Sequence, residues 1–194
     1  MPKFYSYVVE HDYGRSPNPT GGFCTLAFCK FNHGSSKKRN IVELAEKDDW
    51  VIGTGGSGPL SAGHGKLVYA MRVTEKLTLQ DYFRDSRFVG RAGNNPDFVG
   101  RTDMFALISE HYFYFGASAP KFTRRHANHP IEKRGPSHRS RFPEEFVTDF
   151  VKWLEKTYQV GLHGNPCAVQ EEPWPEPRTA SPPRCSTRRS RSVC

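Results

Sequence analysis

The sequence predicts an α+β domain built on a curved, mostly antiparallel sheet or a small barrel with flanking helices. Segments of period-2 alternation outnumber helical ones, in the order strand, strand, helix, strand, strand, helix, strand, helix. A chain of 194 residues can bury roughly two thirds of its unfolded surface and folds without staples. The aromatic share of 13% offsets a modest apolar fraction of 36%, so much of the core must be rings.

Residues 3–12, KFYSYVVEHD, alternate apolar with polar and read as a strand, followed by YGRSPNPTGG, a loop dense in Pro, Gly and Asn. FCTLAFCKF (23–31) is a second apolar run of strand character. RNIVELAEKDD suits a short helix because Ile41, Leu44 and Ala45 share one face. DDWVIGTGG reads as a strand entering a glycine-rich turn. GKLVYAMRVTEKLT (65–78) is the clearest strand, with Val68 and Ala70 opposed to Tyr69, Met71 and Val73. LQDYFRDSRF forms a short amphipathic helix carrying Tyr82 and Phe83, and RAGNNPDFVGRTD a loop. MFALISEHYFYFG (104–116) reads as a strand or a bent hairpin. In PEEFVTDFVKWLEKTYQ, Phe146, Val147, Phe150, Trp153 and Leu154 recur at helical spacing. Pro143 suits that helix's first turn, and Glu144 and Glu145 complement its positive end.

From Asn165 onward Pro, Arg, Ser and Thr dominate without periodicity. The expected organisation is one domain over 1–164 and a disordered basic tail over 165–194. The formal charge of +8 is concentrated: residues 121–141 hold Lys121, Arg124, Arg125, Lys133, Arg134, Arg139 and Arg141 against Glu132 alone. Such a segment attracts phosphate-bearing partners, although a solvated loop would carry the same charge. The five cysteines contain no C-x-x-C pair, which argues against a disulfide framework or a zinc ribbon. No apolar run reaches membrane-spanning length and no secretory h-region stands at the amino terminus, so the cytoplasm is the expected address.

Gly53-Thr54-Gly55-Gly56-Ser57-Gly58 has the letters of G-x-G-x-x-G, but the segment before the next strand contains no helix to receive a pyrophosphate. The turn can still bring backbone N–H groups to a ligand, or serve only as a turn. Of the eight histidines, His11, beside Asp12, and His111 stand in or near strands where polar side chains are scarce. Each is a structural group or a proton shuttle. Cys24 and Cys29 read as buried thiols with no activating base nearby. Trp50, Tyr69, Tyr82, Phe113, Tyr114 and Phe115 can supply a cage for a flat base, although most of these rings must be core. No histidine spacing predicts a metal site, and no cofactor is assigned.

The blocks KFYSYVVEHDYG, PNPTGGFCTLAFCK, DDWVIGTGG, GKLVYAMRVTEKLT and HYFYFG, in this order, resemble the nucleotide modification associated domain family, second type, over residues 3–157. The resemblance implies an association with DNA base modification in phages or bacteria. The positions that match its signatures are His11, Asp12, Asn18, Cys24, Thr54, Ser109, His111, Tyr114, Gly116 and His138, whereas Asp48 stands where several relatives carry Gly. A short helix, a turn and a long strand in succession are also similar in shape to PUA-like base-binding domains such as the EVE and YTH groups.

Two functions follow as expectations. The first is a nucleotide- or modified-base-binding domain that uses His11, Asp12, Asn18, Trp50, Thr54, Ser57, Tyr69, Ser109, His111, Tyr114, His138 and Arg139, with DNA ahead of RNA as the polymer partner. The alternative is an enzyme acting on a nucleotide or nucleobase, with His11, Asp12, His111 or His138 as acid–base groups. A small interaction domain without a polar concavity is the third reading.

Overall fold

The computed structural model describes residues 2–27, 29–30, 40–91, 103–122, 131 and 137–168. Its strands are β1 (Phe4–Val9), β2 (Cys24–Leu26), β3 (Trp50–Gly55), β4 (Leu67–Arg72), β5 (Glu75–Thr78), β6 (Phe105–Ser109), β7 (His111–Tyr114) and β8 (Gly161–Leu162). The helices are α1 (Ile41–Leu44), α2 (Leu79–Arg84) and α3 (Glu144–Thr157). A five-stranded sheet runs β1-β3-β4-β7-β8 and a three-stranded sheet β2-β6-β5. Most pairings are antiparallel; β1 with β3 and β7 with β8 are parallel. The architecture is therefore α+β on open sheets, and the barrel alternative does not close.

Alternation divides the larger sheet into two buried faces. Tyr5, Tyr7, Val51, Tyr69, Met71, Tyr112 and Tyr114 face β2, β6, α1 and α2 in one core. Phe4, Trp50, Ile52, Ala70 and Phe113 face α3, which contributes Phe146, Phe150 and Leu154 to a second core. Val147 and Trp153, also part of the helical stripe, pack at its border. Pro143 stands at the N-cap of α3, one position ahead of the first turn, with Glu144 and Glu145 behind it.

The segment expected as one strand over 65–78 divides between the two sheets. β4 pairs with β7 and β5 pairs with β6, so 67–78 and 105–114 form the two arms of a long hairpin that bends from one sheet into the other. The bend over 104–116 is thus not a hairpin of its own. Side-chain hydroxyls stabilise both corners. Ser109 Oγ lies 2.6 Å from the Arg72 carbonyl and 2.8 Å from that of His111, and accepts the His111 N–H at 3.1 Å. Thr74 Oγ1 donates to the Ile108 carbonyl at 3.2 Å and accepts the Glu110 N–H.

α1 is a single turn, capped by Asn40 and Glu43 in a capping box. The short β8 was not expected from sequence. The loop over 92–102, Arg124, Arg125, Lys133 and Arg134 of the basic segment, and residues 169–194 of the tail lie outside the described residues.

Candidate functional site

Register across the larger sheet builds a row of side chains at one end of its α3 face. Phe4 lies beside Trp50, Trp50 beside Arg72, and Arg72 beside His111. Directly opposed residues on neighbouring strands share a face, so residues 4, 50, 72 and 111 meet despite their separation in sequence. The His111 ring meets Trp50 edge-on at 5.7 Å, and its Nε2 lies 3.1 Å from Glu155 Oε1 on α3.

Between this row and the first turns of α3 is a groove of about 540 Å³, lined by Lys3, Phe4, Trp50, Phe142, Val151 and Lys152 among others. Its interior is apolar and aromatic, and Lys3 and Lys152 are exposed at its rim. The wall is held by the end of the basic segment. Arg139 exchanges two backbone hydrogen bonds with Ser6 of β1, at 2.9 and 2.8 Å. The Arg139 guanidinium lies 4.2 Å from the centre of the Phe142 ring, a cation–π contact.

Past Trp50, Pro2 and Val151 the surface continues into a second chamber of about 520 Å³, bordered by Lys47, Asp48, Asp49, Arg72 and Glu155. Two of its three acids already have partners. Asp49 accepts the backbone N–H groups of Lys3 and Glu46 at 2.7 and 3.0 Å, and Glu155 meets His111. Arg72 is half-buried, and its Nε is buried with no acceptor among the described residues.

Of the residues predicted from sequence, Trp50 lines both chambers, whereas His111 packs behind it and Arg139 behind Phe142 without lining either. Asp12 and Tyr114 meet elsewhere, on the side of the sheet away from α3. Asp12 is 1% exposed. Its carboxylate accepts the Tyr114 hydroxyl at 2.6 Å and the N–H groups of Gly14 and Cys167 at 3.3 Å each. Burial, reinforced by Asp12, raises the Tyr114 hydroxyl far above its ordinary range and pushes the Cys167 thiol up to about 11. Tyr69, fully buried, donates to Tyr7 Oη at 3.0 Å.

The remaining predicted residues are dispersed. His11 is exposed and stacks on Tyr13 with centroids 6.3 Å apart. Asn18 bridges a turn, accepting from Thr20 and donating to the Arg91 carbonyl. Thr54 donates to the Tyr7 carbonyl at 3.2 Å, and Ser109 holds the bend already described. His138 lies edge-on to Tyr5 at 5.8 Å. Ser57 is exposed on the glycine-rich turn. The backbone donors of Gly55 and Gly56 in that turn are used internally, by the Lys66 carbonyl and Ser61 Oγ at 2.8 Å each. Gly53 is required for packing, since a Cβ there would overlap the Tyr69 ring and Val9.

Sequence reasoning did not single out Lys3, Phe142, Lys152, Glu155 or Arg72. The available signal was Arg72, a charged residue ending the apolar run LVYAM. Among the described residues no group of three His, Cys, Asp or Glu side chains is placed to hold a metal ion, and no helix is long and apolar enough to cross a membrane.

The family model for nucleotide modification associated domain 2 matches residues 1–102 and 99–173, and the chain belongs to that family. No curated protein and no solved structure matches it.

Proposed function

We propose that this member of the nucleotide modification associated domain 2 family binds a nucleotide unit, with an ordinary or a modified base, in the groove beside Trp50. The observation that carries the reading is the composition of that groove: an aromatic and aliphatic interior of about 540 Å³ bordered by Ser140 and Thr148, with Lys3 and Lys152 outnumbering Glu144 among its charged residues. The volume lies within the range of about 300–1,000 Å³ usual for small-molecule sites. The base lies in the apolar interior against the edges of Phe142 and Trp50, held by apolar contact rather than by face stacking, because Phe142 is stacked on Phe146 and covered by Arg139 and Trp50 is 4% exposed. Lys3 and Lys152 neutralise phosphate, and Arg139 holds Phe142 in place. DNA as the polymer and the cytoplasm as the setting belong to the same proposal.

Thermal denaturation tests it, with the deoxynucleoside monophosphates, their modified-base counterparts and single-stranded DNA as the panel. A ligand at a hundredfold excess over its Kd adds about 2.7 kcal/mol of stability, which is a shift of several degrees. The Lys3→Gln, Lys152→Gln double variant, altered only at exposed positions, should lose most of that shift while melting normally without ligand. A panel that leaves the melting temperature unmoved would overturn the reading.

A second reading, turnover of the bound nucleotide, rests on one observation. His111 touches Trp50 and is oriented by Glu155, the arrangement of a histidine base and its orienting carboxylate. Chromatography of nucleotides incubated with the protein decides it. Conversion that falls about 10²–10⁴-fold in His111→Gln supports an acid–base role, and an unchanged panel removes it.

A further inference from the structure

We infer that the natural ligand of the groove is a nucleotide within a single strand of nucleic acid, and that Arg72 holds the phosphate on the far side of the Trp50 platform. The inference rests on the groove reading above and adds the second chamber to it. Pro2, Trp50 and Val151 border both chambers, so the two are continuous across the indole. Each chamber has its own cations: Lys3 and Lys152 at the first, Lys47 and Arg72 at the second. A free 5′-monophosphate offers phosphate on one side of its sugar only. A nucleotide inside a strand offers phosphodiesters on both sides, which is the pattern of the two cation sets.

Two residues in the second chamber have donors to offer, the exposed Lys47 and the half-buried Arg72, and only Arg72 is set in register beside Trp50. Its guanidinium has no side-chain hydrogen bond or ion pair among the described residues, and its Nε is buried. The Nε is closed to a ligand, but the end of the guanidinium that borders the chamber presents a fork that matches two phosphate oxygens. The acids beside it do not compete equally. Asp49 is engaged by two backbone N–H groups and Glu155 by His111, which leaves Asp48, exposed at the rim. Trp50 and His111 flank Arg72 in register and fix where the guanidinium projects.

The test compares the four deoxynucleoside 5′-monophosphates with the four homotrinucleotides by calorimetric titration, in the wild type and in Arg72→Gln and Arg72→Lys. The trinucleotides should bind roughly tenfold more tightly than the monophosphates, the worth of one charge-assisted contact. Arg72→Gln should abolish that advantage without weakening the monophosphates, and should lower the slope of log K against log salt by about 0.7 for the trinucleotides. Arg72→Lys should keep the slope and lose part of the affinity. Melting curves of both variants confirm that the fold is intact; should Arg72→Gln fail to fold, Arg72→Lys still reports on the fork. Equal affinity for monophosphate and trinucleotide would overturn the inference and leave the groove reading standing. A trinucleotide advantage that survives Arg72→Gln would overturn the role of Arg72. Binding by neither ligand would remove both readings.

Discussion

Asp48 adopts φ +73° in the turn that delivers the chain into β3. A left-handed residue with a Cβ is strained by roughly 1–2 kcal/mol, and Asp is among the side chains that tolerate it. Glycine at this position has the freedom the turn requires. Asp48→Gly should therefore raise stability by about 0.5–1 kcal/mol, the strain relieved less the extra entropy of glycine. Urea denaturation measures it, and a loss of stability would show that the Asp48 side chain itself supports the turn. The residue scale also marks what the sequence could and could not reveal. Trp50 stood out as one of six aromatics that could cage a flat base, and Arg139 as part of a basic segment. Arg72 is marked only as a charge that ends the apolar run LVYAM, and Lys3 carries no local signature. Their relation to Trp50 arises from strand register and from the position of α3, which pair residues far apart in the chain.

At the scale of elements, the last described segment behaves as a strap rather than as the start of a tail. The Ala117 N–H donates to the Asn165 carbonyl at 2.8 Å, and the Ala168 N–H donates to the Asp12 carbonyl at 3.0 Å. The Cys167 N–H reaches the buried Asp12 carboxylate. Composition alone marks the shift at 165, because Pro166 and the polar residues around it have no periodicity. It cannot show that their backbone satisfies a carboxylate placed by β1. A chain ending at residue 164 should lose about 1–3 kcal/mol, since the buried Asp12 carboxylate loses one of its three donors and the Ala117 N–H loses its acceptor. One ending at residue 168 keeps these hydrogen bonds and should melt above it by the corresponding few degrees. Equal melting temperatures for the two truncations would show that the strap contributes nothing. The bent arms carry the same lesson. VTEKLT continues the alternation of LVYAMR, so the handover at Thr74 from one sheet to the other is invisible until β6 supplies its partner.

At the scale of the molecule, the five blocks that carry the family resemblance fall on β1, the turn into β2, β3, the β4–β5 arm and β7. β1, β3, β4 and β7 among them place aromatic rings on both faces of the larger sheet, whereas β2 and β5 belong to the smaller one, whose pairing through β6 no local pattern reveals. Those rings make the interior unusually rich in phenols. Burial raises the hydroxyls of Tyr7, Tyr69, Tyr82, Tyr112 and Tyr114, and pushes Tyr5 up to about 12 with help from Asp49 and Glu46. The thiols of Cys24, Cys29 and Cys167 are raised by the same cause.

In every one of these groups the folded state holds its proton longer than the unfolded chain does. As pH rises past the ordinary thiol and phenol values, the unfolded chain releases protons first and binds fewer than the native state. Stability must then fall with rising pH. The contribution is complete below about pH 9, near the lowest of the ordinary values involved, and declines steadily through pH 10 to 12. Melting temperatures recorded from pH 8 to 12 should follow that course, level and then steeply falling. Tyr5→Phe, which removes one of these protons and one hydrogen bond to the Leu44 carbonyl, should melt lower at pH 8 and decline less steeply thereafter. A melting temperature flat to pH 12 would mean that the buried phenols and thiols are as free to ionise in the fold as outside it, against their burial in the core on the side of the larger sheet away from α3.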